Sequence, residues 1–150
     1  MNRLIYIIFF ALMPGMIYAQ QAKYVFYFIG DGMGINQVNG TEMYLAEREG
    51  NIGVKPLLFT TFPAAGFATT FSVTNSVTDS SAAGTALSTG EKTYNGAVGM
   101  NQDKNIVETI AEKAKKRGRK VGIATSVSID HATPAAFYAH QLDRGMYYEI

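Results

Sequence analysis

Apolar residues in this chain fall in short blocks, and the spacing changes from one block to the next. Lys23-Tyr-Val-Phe-Tyr-Phe-Ile29 is aromatic and β-branched almost throughout and ends at Gly30. A run that is apolar on both faces predicts a strand in the middle of a parallel sheet. Gly30 to Gly34 forms a turn, and a helix is expected from about Ile35 to Glu49, stopped at Gly50. Residues 51–63 contain Pro56 and Pro63 and read as a loop. Ala64 to Val73 predicts a second strand, and Ser80 to Leu87 a helix built of small residues. Glu91 to Lys104 is polar and carries glycines, which predicts a loop with a short strand at Ala97-Val98. Asn105 offers an N-cap with Glu108 three positions on, so a helix is predicted from there to about Arg117, ending at Gly118. Lys120 to Ser128 predicts a third strand. Pro134 opens a further helix at a favoured first-turn position, with His140 inside it. Strand and helix alternate, so the predicted class is α/β with a mostly parallel sheet.

Composition changes this picture little. The chain has 150 residues, 47% hydrophobic and 17% charged, which is ordinary for a globular protein. A formal net charge of +1 argues for no polyanionic partner. Lys113 to Lys120 is a basic run, but it coincides with a predicted helix C-terminus, where cations are favoured, so nucleic-acid binding is not expected. With no cysteine, disulfides and thiolate metal sites are excluded.

The first 19 residues stand apart. Arg3 precedes the apolar run Leu4–Met13, Pro14-Gly15 interrupts it, and Ala19 ends it before Gln20-Gln21. That order reads as a secretory signal peptide cleaved after Ala19, although Ile17 is a less usual residue at the outer recognition position. The run is shorter than the ~20 residues of a bilayer span, so a membrane anchor is the poorer reading. A periplasmic or secreted protein, with no membrane attachment after cleavage, is therefore expected. At the other end, Arg144 to Ile150 looks like the start of an element with no closing signal. The sequence reads as the amino-terminal part of a longer protein.

Two stretches carry chemistry. Val77-Thr-Asp79-Ser80-Ser-Ala-Ala-Gly-Thr85 puts a serine at the mouth of a helix. Unpaired N–H groups and the positive end of the helix dipole favour an anion there, phosphate above all. Thr78 competes with Asp79 for the N-cap position. Gly30-Asp31-Gly32-Met33-Gly34 presents an unshielded carboxylate after a strand, where open α/β sheets place their ligands. Taken alone, Asp31 reads better as a turn aspartate bonded to its own backbone. No histidine lies close to Ser80 in sequence, so a metal is the expected means of activating its hydroxyl.

Gly30-Asp31-Gly32-Met33-Gly34, then Thr78-Asp79-Ser80 with Thr85 and Gly90, resembles the alkaline phosphatase family. His131-Ala-Thr133-Pro134-Ala-Ala-Phe-Tyr-Ala-His140, followed by Arg144, is a third match in the same order. The resemblance covers nearly all of residues 23–144. It implies a three-layer α/β/α sandwich with a mostly parallel central sheet, of which residues 20–150 supply the N-terminal part. It also implies phosphate monoester hydrolysis through a phosphoserine on Ser80, with the serine deprotonated on zinc. Two zinc ions and one magnesium are implied as cofactors. Asp31 corresponds to the carboxylate bridging the magnesium and one zinc, Thr133 to a magnesium ligand, and Arg144 to the guanidinium that grips two phosphate oxygens. Asp79 corresponds to a residue that holds this arginine in place. His131 stands beside the metals where the best-studied bacterial members carry aspartate and animal members carry histidine. His131 and Thr133 also read as plain helix caps, and His140 is given no catalytic role.

Family resemblance further implies small phosphate monoesters as substrates and a homodimer. Most zinc ligands of the family lie in the carboxyl-terminal half, and neither of the two histidines here matches one. Residues 20–150 alone are therefore expected to have little or no phosphatase activity. A phosphodiesterase or sulfatase on the same scaffold, and a non-catalytic anion-binding homologue, are the alternative readings.

Overall fold

Four α-helices and one 3-10 turn order the described part of the chain, residues 22–150 of a computed structural model. The signal-peptide reading falls on residues outside that range. The chain divides at Gly30 into Met1–Gly30, of which residues 22–30 are described, and Asp31–Ile150.

Helix α1 spans Ile35–Arg48, one residue short of the predicted end. Gln37 turns its side chain back to accept the Gly34 N–H at 3.0 Å, which satisfies a donor the helix cannot. Glu42 accepts from the Leu57 N–H at 2.9 Å and the Thr60 hydroxyl at 2.6 Å. These bonds tie α1 to the 3-10 turn Leu58–Thr61 and hold the Glu42 carboxyl below its usual range.

Helix α2 spans Ser80–Thr89 and is the centre of the second unit. Ser81, Gly84, Thr85 and Ser88 are all buried. Their 3-4-7 spacing puts them on one helical face. The face is polar or small, so a hydropathy pattern misses it. Gly90 ends the helix with φ 86°, a conformation suited to glycine. Thr85 donates its hydroxyl to the Ala97 carbonyl at 3.2 Å and accepts the Gly99 N–H at 2.9 Å. Ser88 donates to the Ala136 carbonyl at 2.6 Å. Buried hydroxyls on this face thus find backbone partners, as burial of polar groups requires.

Helix α3 spans Ile110–Lys116 and starts four residues later than the sequence suggested. Asn105 is not its cap. Its N–H goes to the Asn101 side chain at 2.9 Å and its carbonyl accepts the Asn101 N–H at 2.9 Å, so the backbone there is committed to a turn. The cap is Thr109, with Glu112 completing the reciprocal pair at 2.8 and 3.2 Å. The basic run does fall at the end of this helix, with Lys113, Lys115 and Lys116 in its last turn.

Helix α4 is short, Ala132–Ala135, with Pro134 at its third position rather than its first. The first turn of a helix leaves its N–H groups unbonded, so proline fits there without loss. His140 lies beyond this helix, contrary to expectation. Its ring is partly buried, with Nδ1 2.8 Å from the Gly99 carbonyl and Nε2 3.0 Å from Glu112. Val98, Ala135, Ala136 and Ala139 form the apolar core, joined by Tyr138 and Ile150. The α2–α4 contact is tight: a Cβ at Gly84 would lie 2.9 Å from that of Ala136.

The three expected strands differ most. Residues 24–30, 64–71 and 119–125 carry neither helix nor sheet ladder. β-Pairing among the described residues is confined to two isolated bridges, Val98↔Gln141 and Met100↔Ile106. The first falls on Val98 alone, so the expected short strand at Ala97-Val98 is reduced to a single bridge. Phe28 and Phe67, expected inside a sheet, are 89% and 95% exposed. A parallel strand pairs across long crossover connections, so its local pattern specifies the strand without supplying its neighbours.

Candidate active site

Asp79 begins the site because it fixes the start of α2. Its φ and ψ of −94° and 175° place it at the N-cap, and its Oδ1 accepts the Ala82 N–H at 2.9 Å. Thr78, the competing candidate, sends its hydroxyl to the Asp79 carbonyl at 3.1 Å instead. The loop 94–97 secures this start from the other side. Asn95 accepts the Asp79 N–H at 3.2 Å and donates to the Val77 carbonyl at 3.1 Å.

Ser80 is then the first residue of α2, beside the free N–H groups of the helix. Its hydroxyl donates to Asp31 Oδ2 at 2.9 Å, across 49 residues of sequence. Thr133, from α4, donates to the same oxygen at 3.0 Å, across 102 residues. Asp31 is therefore no local turn aspartate. One carboxylate oxygen joins the turn before α1 to the starts of α2 and α4. Asp31 is exposed and Ser80 only half-buried, so a solute can reach the cluster.

Arg144 approaches from the last loop. Its Nη1 donates to Asp79 Oδ2 at 3.3 Å, and its Nη2 lies 3.5 Å from His131 Nε2. The guanidinium is one residue away from Ser80 through Asp79. His131 occupies the N-cap position of α4 but makes no side-chain cap bond, and its Nδ1 is buried without a hydrogen-bond partner. Thr133 does not cap the helix either; its hydroxyl is turned to Asp31.

Asp79 Oδ2 has two further donors that the sequence did not reveal. The Ser81 hydroxyl lies 2.6 Å away and the Gly96 N–H 3.0 Å away. Burial raises the Asp79 pKa, but the bonds from Ser81, Ala82, Gly96 and Arg144 outweigh it and hold the carboxyl below its ordinary value near 3.8. The one signal for Ser81 was its place in the 81-84-85-88 stripe.

Donor chemistry decides which ions fit. Asp31, Ser80 and Thr133 offer oxygen alone, a set suited to a hard cation such as magnesium. Zinc sites take at least three strong protein ligands, commonly histidine, cysteine or carboxylate. No group of three such residues occurs among the described residues, so those residues alone do not fit a zinc site.

Residues 22–150 match the family model described as alkaline phosphatase. The chain belongs to the alkaline phosphatase family. It is 38% identical over 136 residues to alkaline phosphatase 4 of Drosophila melanogaster, covering 85% of this chain and 23% of that protein. Among solved structures, the alkaline phosphatase of the Antarctic bacterium TAB5 is 38% identical with a TM-score of 0.70, covering 79% of this chain and 32% of that one. A histidine-to-glutamate variant of the TAB5 alkaline phosphatase, with magnesium bound in its M3 site, is 44% identical with a TM-score of 0.59, covering 61% of this chain and 26% of that one. The chain spans about a quarter of the length of the curated relatives it matches. Its fold class, like that of these alkaline phosphatases, is α/β.

Proposed function

We propose that the whole protein hydrolyses phosphate monoesters through a phosphoserine on Ser80. The observation that carries this reading is the hydroxyl of Ser80 at the mouth of α2, hydrogen-bonded to Asp31, with Arg144 held on the neighbouring Asp79. A phosphate entering there meets free helix N–H groups and a planar guanidinium able to bind two oxygens at once. Bound in this way, its phosphorus lies within reach of the serine oxygen. In the first step the Ser80 oxygen forms a bond to phosphorus while the bond to the leaving alcohol breaks. The serine proton passes to Asp31, and from Asp31 to the departing alcohol oxygen. In the second step water attacks the phosphoserine and gives a proton to Asp31, the bond to Ser80 breaks, and inorganic phosphate leaves as that proton returns to the Ser80 oxygen. Arg144 would stabilise charge on the phosphoryl oxygens in both steps.

Magnesium fits the oxygen set of Asp31, Ser80 and Thr133, and the magnesium-bound TAB5 relative supports a metal in this family. When bound, such an ion supplies positive charge beside the hydroxyl and the phosphate. The two zinc ions implied by the resemblance would need donors that residues 22–150 do not bring together, so no step is assigned to them. His131 would stand next to these metals, with Nε2 toward Arg144 and Nδ1 buried without a hydrogen-bond partner. The reading extends to a three-layer sandwich in the whole molecule, a homodimer, and secretion through the leader at residues 1–19. No helix among the described residues is long and apolar enough to cross a membrane.

The test is labelled-phosphate trapping with the full-length protein. Wild type quenched in acid should carry one acid-stable phosphoryl group, and Ser80→Ala none, with its fold intact. Label on the mutant would overturn the assignment. Parallel assays on aryl phosphate, bis-aryl phosphate and aryl sulfate should favour the monoester.

A further inference from the structure

Ser81 is fully buried, yet it lies next to the proposed nucleophile. Its hydroxyl makes the shortest bond to the Asp79 carboxylate, 2.6 Å to Oδ2. The same oxygen takes the Gly96 N–H at 3.0 Å and Arg144 Nη1 at 3.3 Å. Ser81 Oγ also accepts the Gly96 N–H at 3.1 Å, so its own proton is directed at the carboxylate. Oδ1 is turned away to cap α2 at the Ala82 N–H. The carboxylate is thus gripped at both oxygens before Arg144 reaches it. Without the Ser81 hydroxyl, Oδ2 would keep only one fixed donor besides the arginine.

We propose that Ser81 is a positioning residue for phosphate binding: it fixes the Asp79 carboxylate, and through it the Arg144 guanidinium, beside Ser80. The inference rests on the phosphatase reading given above. Ser81 has no path to substrate itself, because its side chain is buried against Asp79 and Gly96. Its effect must pass through the arginine. A hydroxyl bonded to a charged partner contributes more than one between neutral groups. Part of that contribution is transmitted to the guanidinium and part is lost locally.

The experiment is a double-mutant cycle in the full-length protein, read by competitive inhibition with inorganic phosphate and by aryl phosphate turnover. Ser81→Ala should raise the inhibition constant and KM about five-fold, less than the full loss of one hydrogen bond to a charged group because only part of it reaches the arginine, and lower kcat less. Arg144→Ala should raise the inhibition constant further. In the Arg144→Ala background, Ser81→Ala should then have no additional effect on it, because the residue it acts through is gone. Thermal unfolding of each variant separates this from a loss of fold. Equal multiplicative effects of Ser81→Ala in both backgrounds would overturn the proposal. So would a lowered Tm with the inhibition constant unchanged. If wild type turns over aryl phosphate and Ser81→Ala binds phosphate as wild type does, the positioning role alone falls. If wild type neither hydrolyses aryl phosphate nor binds phosphate, the phosphatase reading falls and takes this role with it.

Discussion

Asp79 divides two tasks between the two oxygens of one carboxylate. Oδ1 caps α2, and Oδ2 faces Ser81, Gly96 and Arg144. Those bonds favour the ionised form and hold the carboxyl below its ordinary range. A carboxyl depressed in the fold adds stability that is present above its unfolded value and is lost as pH falls through the folded one. Acidification below about 3.8 should therefore loosen the start of α2 and release Arg144. Asparagine caps helices about as well as aspartate, so Asp79→Asn separates the tasks. The variant should be less stable than wild type near neutral pH, because its amide NH2 would face the donors now on Oδ2, and should lose part of the wild-type decline in acid. Thermal unfolding from pH 7 downward, run in parallel on both full-length proteins, checks this; identical acid slopes would dismiss the charge as the cause. Phosphate affinity should fall in the same variant, because a neutral amide holds a guanidinium less firmly.

Helices α2 and α4 meet through side chains that are small or absent. Gly84 lets Ala136 approach, and Ser88 reaches the Ala136 carbonyl from the same face. Ser80 begins one of these helices and Thr133 lies in the other, so their spacing sets the distance between two hydroxyls on Asp31. Gly84→Ala would place a methyl 2.9 Å from the Ala136 methyl, closer than real Cβ contacts come. Relief requires the helices to separate. We expect a loss of about 1–3 kcal/mol in unfolding free energy, the usual range for overpacking. Phosphate turnover should drop as well, since Asp31 could no longer reach both hydroxyls in one geometry. A Tm equal to that of wild type would show that the packing yields without strain. Helix α3 makes a different link: Thr109 donates to the Phe137 carbonyl at 2.8 Å, and Glu112 meets His140 at 3.0 Å. Here the polar groups of the cap also serve as tertiary contacts.

At the scale of the whole molecule, the described residues assemble the serine, its carboxylate and the arginine, but no cluster of strong zinc donors. A protein comprising residues 22–150 alone should therefore bind phosphate weakly and show little or no zinc-dependent phosphatase turnover. Robust turnover by that protein in an aryl phosphate assay would refute this. The sequence by itself determined what depends on neighbouring residues. The starts of α1 and α2 and the basic end of α3 follow from local chemistry. Capping and turn preferences act over a few residues and need no distant partner. The start of α3 lies outside local reach for the complementary reason: Asn105 bonds to Asn101 in a turn, and Thr109 is fixed partly by Phe137, 28 residues away. Tertiary structure alone decided that Asp31 receives two hydroxyls from remote helices, that Ser81 turns inward to Asp79, and that the apolar segments form no ladder among the described residues. Each of these is a pairing between groups far apart in sequence or set by packing, and such a pairing has no energy until the chain brings its members together.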